Sequence, residues 1–218
     1  MAEHFGILVR TAILVVATLL PLINPAGSAA IFHSMTLGIP DSERSKMAAS
    51  IGRYSFILVV AATFIGSYVL DFFGVSLTSV RIGGGLLVAA SGWKLLNADE
   101  KTTHGVTDIR KIESRAYYPL TFPLTVGPGT ISAAITIGAS LKEPGQVMWE
   151  KALASLVGLA AVACTVYLSF RFAAQLIRFL GVTGTVVMLR LSAFILMCVG
   201  VQIVMSALIT VIGTIQHP

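Results

Sequence analysis

Two helix-breaking motifs interrupt long apolar stretches, one in each half of the chain. They are Pro21-Leu22-Ile23-Asn24-Pro25-Ala26-Gly27 and Pro123-Leu124-Thr125-Val126-Gly127-Pro128-Gly129-Thr130. A proline inside a helix removes one backbone donor and frees the carbonyl four residues earlier. Hydrocarbon cannot satisfy that carbonyl, so a membrane helix broken this way must bury the break in protein or turn it toward a polar cavity. Two breaks in corresponding places of a duplicated membrane protein point to the substrate site of a transporter.

The composition places these breaks in a membrane. Of 218 residues, 56% are hydrophobic and 11% are charged, against about 25% charged in soluble domains; the mean hydropathy is +0.87. Residues 11–38, 54–70, 82–93, 116–141, 152–170 and 191–216 are free or nearly free of charge. A crossing takes roughly 20 apolar residues. Five runs reach that length directly or with modest extension, and 82–93 needs its flanks. The expectation is an all-α integral membrane protein with six transmembrane helices.

A net charge of +5 raises the question of nucleic acid. The basic residues are spread over the loops, which argues against it. With six spans, one side of the membrane holds Arg10, Arg81, Lys142 and Lys151, and the other side holds the remaining eleven Lys and Arg. Positive-inside counting therefore places both termini outside the cytoplasm. The start of the chain, with Glu3 and His4 ahead of Arg10 and a long apolar run, does not read as a cleavable signal. Cys164 and Cys198 fall within apolar helices and read as small core residues.

The two halves resemble each other. Asn24-Pro25 corresponds to Gly127-Pro128, and Ser28-Ala29-Ala30 echoes Ser132-Ala133-Ala134. Phe72-Phe73-Gly74-Val75-Ser76 matches Phe179-Leu180-Gly181-Val182-Thr183, and Arg81 with Gly92 parallels Arg190 with Gly200. Residues 1–96 and 117–218 are then two three-helix repeats, with the first helix of each broken at its Pro/Gly motif. Residues 97–116 form a charged cytoplasmic linker. An odd number of spans per repeat gives the two repeats opposite orientation, an inverted repeat.

At each break the second half-helix begins with unpaired N–H groups and partial positive charge, which suits a carboxylate. Pro25 and Pro128 fit the first helical position. Asn24, and Thr125 or Thr130 in the second repeat, are candidate caps. Gly27, Gly127 and Gly129 would let a ligand approach the backbone, while carbonyls left by the preceding half-helix would accept from an ammonium group. A small zwitterion matches both ends. Ser28 and Ser132 add hydroxyls, and Ser132, Thr136 and Ser140 form a stripe at i, i+4 and i+8, which either lines a path or packs helices together. If the breaks carry transport, Asn24→Ala or Gly129→Leu should abolish flux and leave abundance near normal. Gly83-Gly84-Gly85 and Gly92 read as close helix contacts, and Arg81 and Arg190 as interfacial anchors. His33 reads as a packed or interfacial histidine.

No Asp or Glu lies at the centre of a span, and the four histidines are scattered at 4, 33, 104 and 217. No His-Glu-x-x-His pattern or nucleophile with a plausible base is present. Neither an enzyme nor a cofactor or metal is expected.

LLPLINPAGSAAIFHSMT, RIGGGLLVAASGWKLL and PLTFPLTVGPGTISAAI closely resemble the MarC family of bacterial and archaeal integral membrane proteins, over nearly the whole chain. The resemblance implies six spans in the cytoplasmic (inner) membrane, with signature positions at Asn24, Pro25, Gly27, Gly127, Pro128, Gly129 and Thr130. One branch of the family is regarded as moving glycine, alanine and similar small neutral amino acids, and that substrate class comes from the resemblance alone. The alternatives are a non-transporting scaffold or stress-response protein acting through its basic linker, and a carrier or channel for another solute. The expected partners are the lipid bilayer and a small-molecule substrate; a homo-oligomer is among the states the sequence allows.

Overall fold

The computed structural model describes residues 2–97, 116–141 and 148–216. Most of the charged linker, and with it the expectations for His104 and its basic residues, lies outside the described residues. The described residues form eight helical segments and no strand: α1 (Ala2–Ile23), α2 (Pro25–Met35), α3 (Asp41–Phe73), α4 (Leu77–Leu96), the irregular α5 (Ala116–Thr125), interrupted by extended backbone at Tyr118 and Phe122, α6 (Pro128–Ser140), α7 (Met148–Arg171) and α8 (Ala173–Gln216).

Local chemistry sets the boundaries. Asp41 and Glu43 lie in the first turn of α3, where acids complement the helix dipole. Gly74 ends α3 in the left-handed conformation (φ 65°) and donates to Asp71, while Val75 donates back to Leu70; such a terminus suits glycine because it has no Cβ. Ser76 then caps α4 by accepting from the Ser79 amide. Gly181 adopts φ 67°, ψ −179° and interrupts α8. Gly74 lies 33 residues past the start of α3, and Gly181 the same distance past the start of α7.

Four stretches are long and apolar enough to cross a membrane: Gly6–Ile23, Asp41–Phe73, Trp149–Arg171 and Thr183–Gly213. The pair α5–α6, bent by 68°, makes a fifth. This is fewer than the six expected. The shortfall is α4, whose 20 residues measure about 30 Å at 1.5 Å per residue; four glycines, Arg81 and Lys94 dilute its hydropathy. A second difference concerns the first break. The expectation broke the first helix at its Pro/Gly motif, within the apolar run 11–38, but α1 is itself span-length with 22 residues. The break therefore lies at the end of α1, and α2, with 11 residues, is too short to cross alone.

The halves interlock. α1 packs on α7, and α5 packs on α3; α2 lies against α7 and α8, and α6 against α3 and α4; α3 pairs with α7 and α4 with α8. Contacts between helices of the same half are slight. One apolar core joins Val15, Leu19, Phe32, Ile51, Leu159 and Phe170, with the Phe32 and Phe170 rings 5.0 Å apart. Helices in lipid gain little from hydrophobic burial against each other, so close packing must hold them. Glycines supply it. A Cβ on Gly92 would meet the Met197 backbone nitrogen at 2.5 Å, one on Gly200 the Ala89 nitrogen at 2.3 Å, and one on Gly138 the Thr63 carbonyl at 1.6 Å. The close-contact reading thus holds for Gly84, Gly85 and Gly92, whereas Gly83 has nothing within 4 Å.

Outward faces are apolar. Only 17% of the α3 and α8 spans is buried, against 39% of the α7 span. Cys164 and Cys198 are exposed, unpaired thiols and not core residues, because a membrane helix can turn a small apolar side chain to lipid. Large aromatics mark the helix ends, with Phe72, Phe73 and Trp149 toward one end of the bundle and Trp93, Tyr117 and Tyr118 on helix ends of the other set; all are exposed.

Candidate functional site

Asn24 occupies the left-handed region (φ 47°, ψ 62°) and is the N-cap of α2. Asparagine is among the few residues with a side chain that visit this region readily. Its Oδ1 accepts from the Gly27 amide at 3.2 Å, as the sequence led us to expect. Pro25 holds the first helical position, where its missing N–H costs nothing. Ser28 is buried and donates to the Ile23 carbonyl at 3.1 Å. The carbonyl end of α1 is thereby served by the chain itself.

The second break is built differently. Gly127 is the N-cap of α6 in an extended conformation, with Pro128 at the first helical position. Gly127 offers no side-chain oxygen, and neither threonine takes the capping role the sequence suggested. Thr125 points backward and donates to Leu120 at 2.7 Å, and Thr121 donates to Ala116 at 2.6 Å. These hydroxyls, with the Val126 amide bonded to the Thr121 carbonyl, satisfy carbonyls that the irregular backbone of α5 leaves free. Hydroxyl side chains are a recognised way to satisfy broken backbone in lipid. The carbonyls expected to receive an ammonium group are in part already occupied. The Phe122–Pro123 peptide bond is cis.

Gly129 and Thr130 follow Pro128, and both are buried. Gly129 is needed for packing: a Cβ there would lie 1.8 Å from Val88 Cγ2 of α4. The room the sequence assigned to a ligand is filled by α4, because a missing Cβ does not reveal which neighbour requires its absence. Ser132 donates to the Val80 carbonyl at 3.0 Å, and Thr136 to Ser132 while accepting from Arg81 Nε at 3.1 Å. The hydroxyl stripe is therefore an α4–α6 seam at two of its three positions; Ser140 is exposed and bonds Ile137. Arg81 reaches into this seam and is not a simple interfacial anchor, whereas Arg190 is exposed on α8. His33 keeps its Nδ1 buried without a hydrogen-bond partner among the described residues.

The two breaks share one environment. α1 touches α6, α2 touches α5, and Leu22 at the end of α1 packs with Val88 and Leu196 beside Ala133 of α6. The chemistry at the two is unequal: the α2 terminus is closed by its own asparagine, and the α6 terminus carries amides that no cap side chain meets. Val88, Thr121 and the Arg81–Thr136 contact were missed from sequence. Only Arg81, a charge near an apolar run, gave any signal.

The family model described as MarC family integral membrane protein matches residues 9–212. The inner membrane protein MarC of Escherichia coli K12 (DH10B) is 30% identical over 205 residues, covering 90% of this chain and 93% of the relative. The inner membrane protein MarC of Salmonella paratyphi B has the same identity and coverage. No solved structure matches the chain.

Proposed function

The chain belongs to the MarC family of integral membrane proteins, and within that family we propose that it is a secondary transporter of small neutral amino acids such as glycine and alanine. It carries substrate across the inner membrane as a carrier and not as an enzyme. The single observation that carries this reading is the pair of helix breaks, each followed by a short helix with proline at its first position and buried residues just beyond it. The substrate carboxylate is placed at the α6 terminus, where the amides of Gly129 and Thr130 lack a capping side chain, since oriented amides and a helix dipole favour an anion. Asn24, Pro25, Gly27 and Ser28 form the opposite wall, and Thr125, Gly127, Pro128 and Ser132 complete the site.

Six spans in two inverted repeats belong to the same reading, with α4 as the sixth and both termini outside the cytoplasm. The reciprocal packing of α2 and α6 on the opposite half supports it, as do left-handed Gly74 and Gly181 at matching places. The test is counterflow of labelled glycine and alanine in proteoliposomes. Saturable exchange competed by other small neutral amino acids is the expected result. No exchange from folded protein would move the function to another solute or to a role without transport.

A further inference from the structure

Away from the breaks, a cavity of about 550 Å³ opens between the start of α3 and the corner where α7 passes into α8. Its lining includes Arg44, Arg171 and Arg178, with Asp41, Ser45 and Gln175. Three guanidinium groups share it with one carboxylate. That carboxylate, Asp41, pairs with Arg44 and is itself largely exposed, so the pocket keeps an excess of positive charge. Arg171 donates to Ser45 across the α3–α7 contact, which fixes one guanidinium on the wall. Arg178 has no carboxylate partner among the described residues. Arg44 and Arg178 come from different helices, yet both line this one cavity, so their charges converge on it.

Arg171 also closes the apolar stretch Trp149–Arg171. The pocket therefore lies where a crossing helix leaves the hydrocarbon, at the depth of lipid headgroups. Phe172, half-exposed, follows immediately and lines the same cavity, so an apolar side chain borders the cationic wall. Guanidinium forks bind carboxylate and phosphate oxygens in the same bidentate way, and three guanidiniums around one cavity suit a phosphate, which offers more acceptor oxygens than a carboxylate. A volume of this size holds a small ligand or a headgroup.

We propose that the pocket between the start of α3 and the α7–α8 corner binds a phosphate group, carried by an anionic lipid headgroup or by a soluble phosphate. Arg171 and Arg178 contact the phosphate oxygens, and Arg44 exchanges part of its bond with Asp41 for them. A ligand held there ties α3 to the second half of the chain at one end of the bundle.

The full-length protein in neutral detergent would be titrated at constant ionic strength with inorganic phosphate, and separately with phosphatidylglycerol in mixed micelles, with phosphatidylcholine as control. Thermal unfolding reads binding, because a ligand that prefers the folded state raises the midpoint. A saturable rise is expected from at least one phosphate source. Its half-maximal concentration should move roughly tenfold or more upward in Arg178→Gln, given what a charge-assisted hydrogen bond contributes. Gln175→Glu, at an exposed position, should do the same without removing any internal bond, and Arg190→Gln should not shift it. A rise with phosphatidylglycerol alone assigns a headgroup site, and a rise with inorganic phosphate assigns a soluble anion; either upholds the proposal. No saturable rise from either source, or one unchanged in both Arg178→Gln and Gln175→Glu, overturns it.

Discussion

Asn24 joins three demands in one side chain: it accepts a left-handed backbone, caps α2, and occupies the space that a Cβ on Gly27 would need. That Cβ would sit 2.5 Å from the Asn24 amide nitrogen. Asn24→Gly keeps the backbone conformation and loses only the cap, a change of a few tenths of a kcal/mol. Asn24→Ala loses the cap and strains the left-handed residue, at about 1–2 kcal/mol. Thermal unfolding should rank wild type and Asn24→Gly close together, with Asn24→Ala below them. Gly27→Ala should be markedly worse in the wild-type chain than in the Asn24→Gly variant, where the crowding side chain is gone. A double-mutant cycle with no coupling between positions 24 and 27 would show that the cap and the glycine are independent. Because Asn24→Gly leaves the fold intact, a loss of flux in that variant isolates the side chain's part in transport. Gly129→Leu does not serve the same purpose. With Val88 in the way, it should lower abundance before it says anything about a substrate.

At the scale of elements, the glycines of α4 and α8 replace the hydrophobic drive that lipid removes. Gly92→Ala and Gly200→Ala press a methyl against backbone atoms that cannot rotate away, and overpacking of this kind costs about 1–3 kcal/mol. Both variants should accumulate poorly and unfold early. Gly83→Ala, with open space around it, should be neutral or gain about 0.5–1 kcal/mol from helix propensity; equal effects at 83 and 92 would remove close packing as the reason for these glycines. The sequence made part of this legible. Proline, asparagine and glycine act through their own backbone, so the break positions and the Asn24 cap could be read locally. What Ser132, Gly129 and Thr136 touch could not, since their partners Val80, Val88 and Arg81 lie far away in the chain. The ends of α1 were also hidden. Glu3, His4 and Arg10 interrupt an apolar pattern, but a helix does not stop where hydrocarbon does.

For the whole molecule, interlocking matters more than duplication. Each short helix after a break rests on the other half, so neither half has a complete core by itself. Residues 1–96 and 117–218 expressed separately should each be degraded. Co-expressed without the linker, they should assemble and retain exchange, because the long-range contacts run between helices and do not need chain continuity. A stable, helical 1–96 fragment on its own would contradict this. Interlocking also bears on the proposed transport: halves so entwined would not rock apart as two bodies, so in a carrier access would alternate by movement of α2 and α6 at the breaks.

The most direct test of that claim is side-specific alkylation of a single cysteine at Ser28 or Ser132, in protein whose exposed Cys164 and Cys198 have been replaced by alanine. Both serines are almost fully buried, at 4% and 3% exposure, so a static bundle would protect them. The expected result is slow labelling by a membrane-impermeant reagent from each side of oriented vesicles, slowed further by saturating glycine or alanine. Protection of both positions from both sides, in protein that still exchanges substrate, would place the pathway elsewhere and contradict the account.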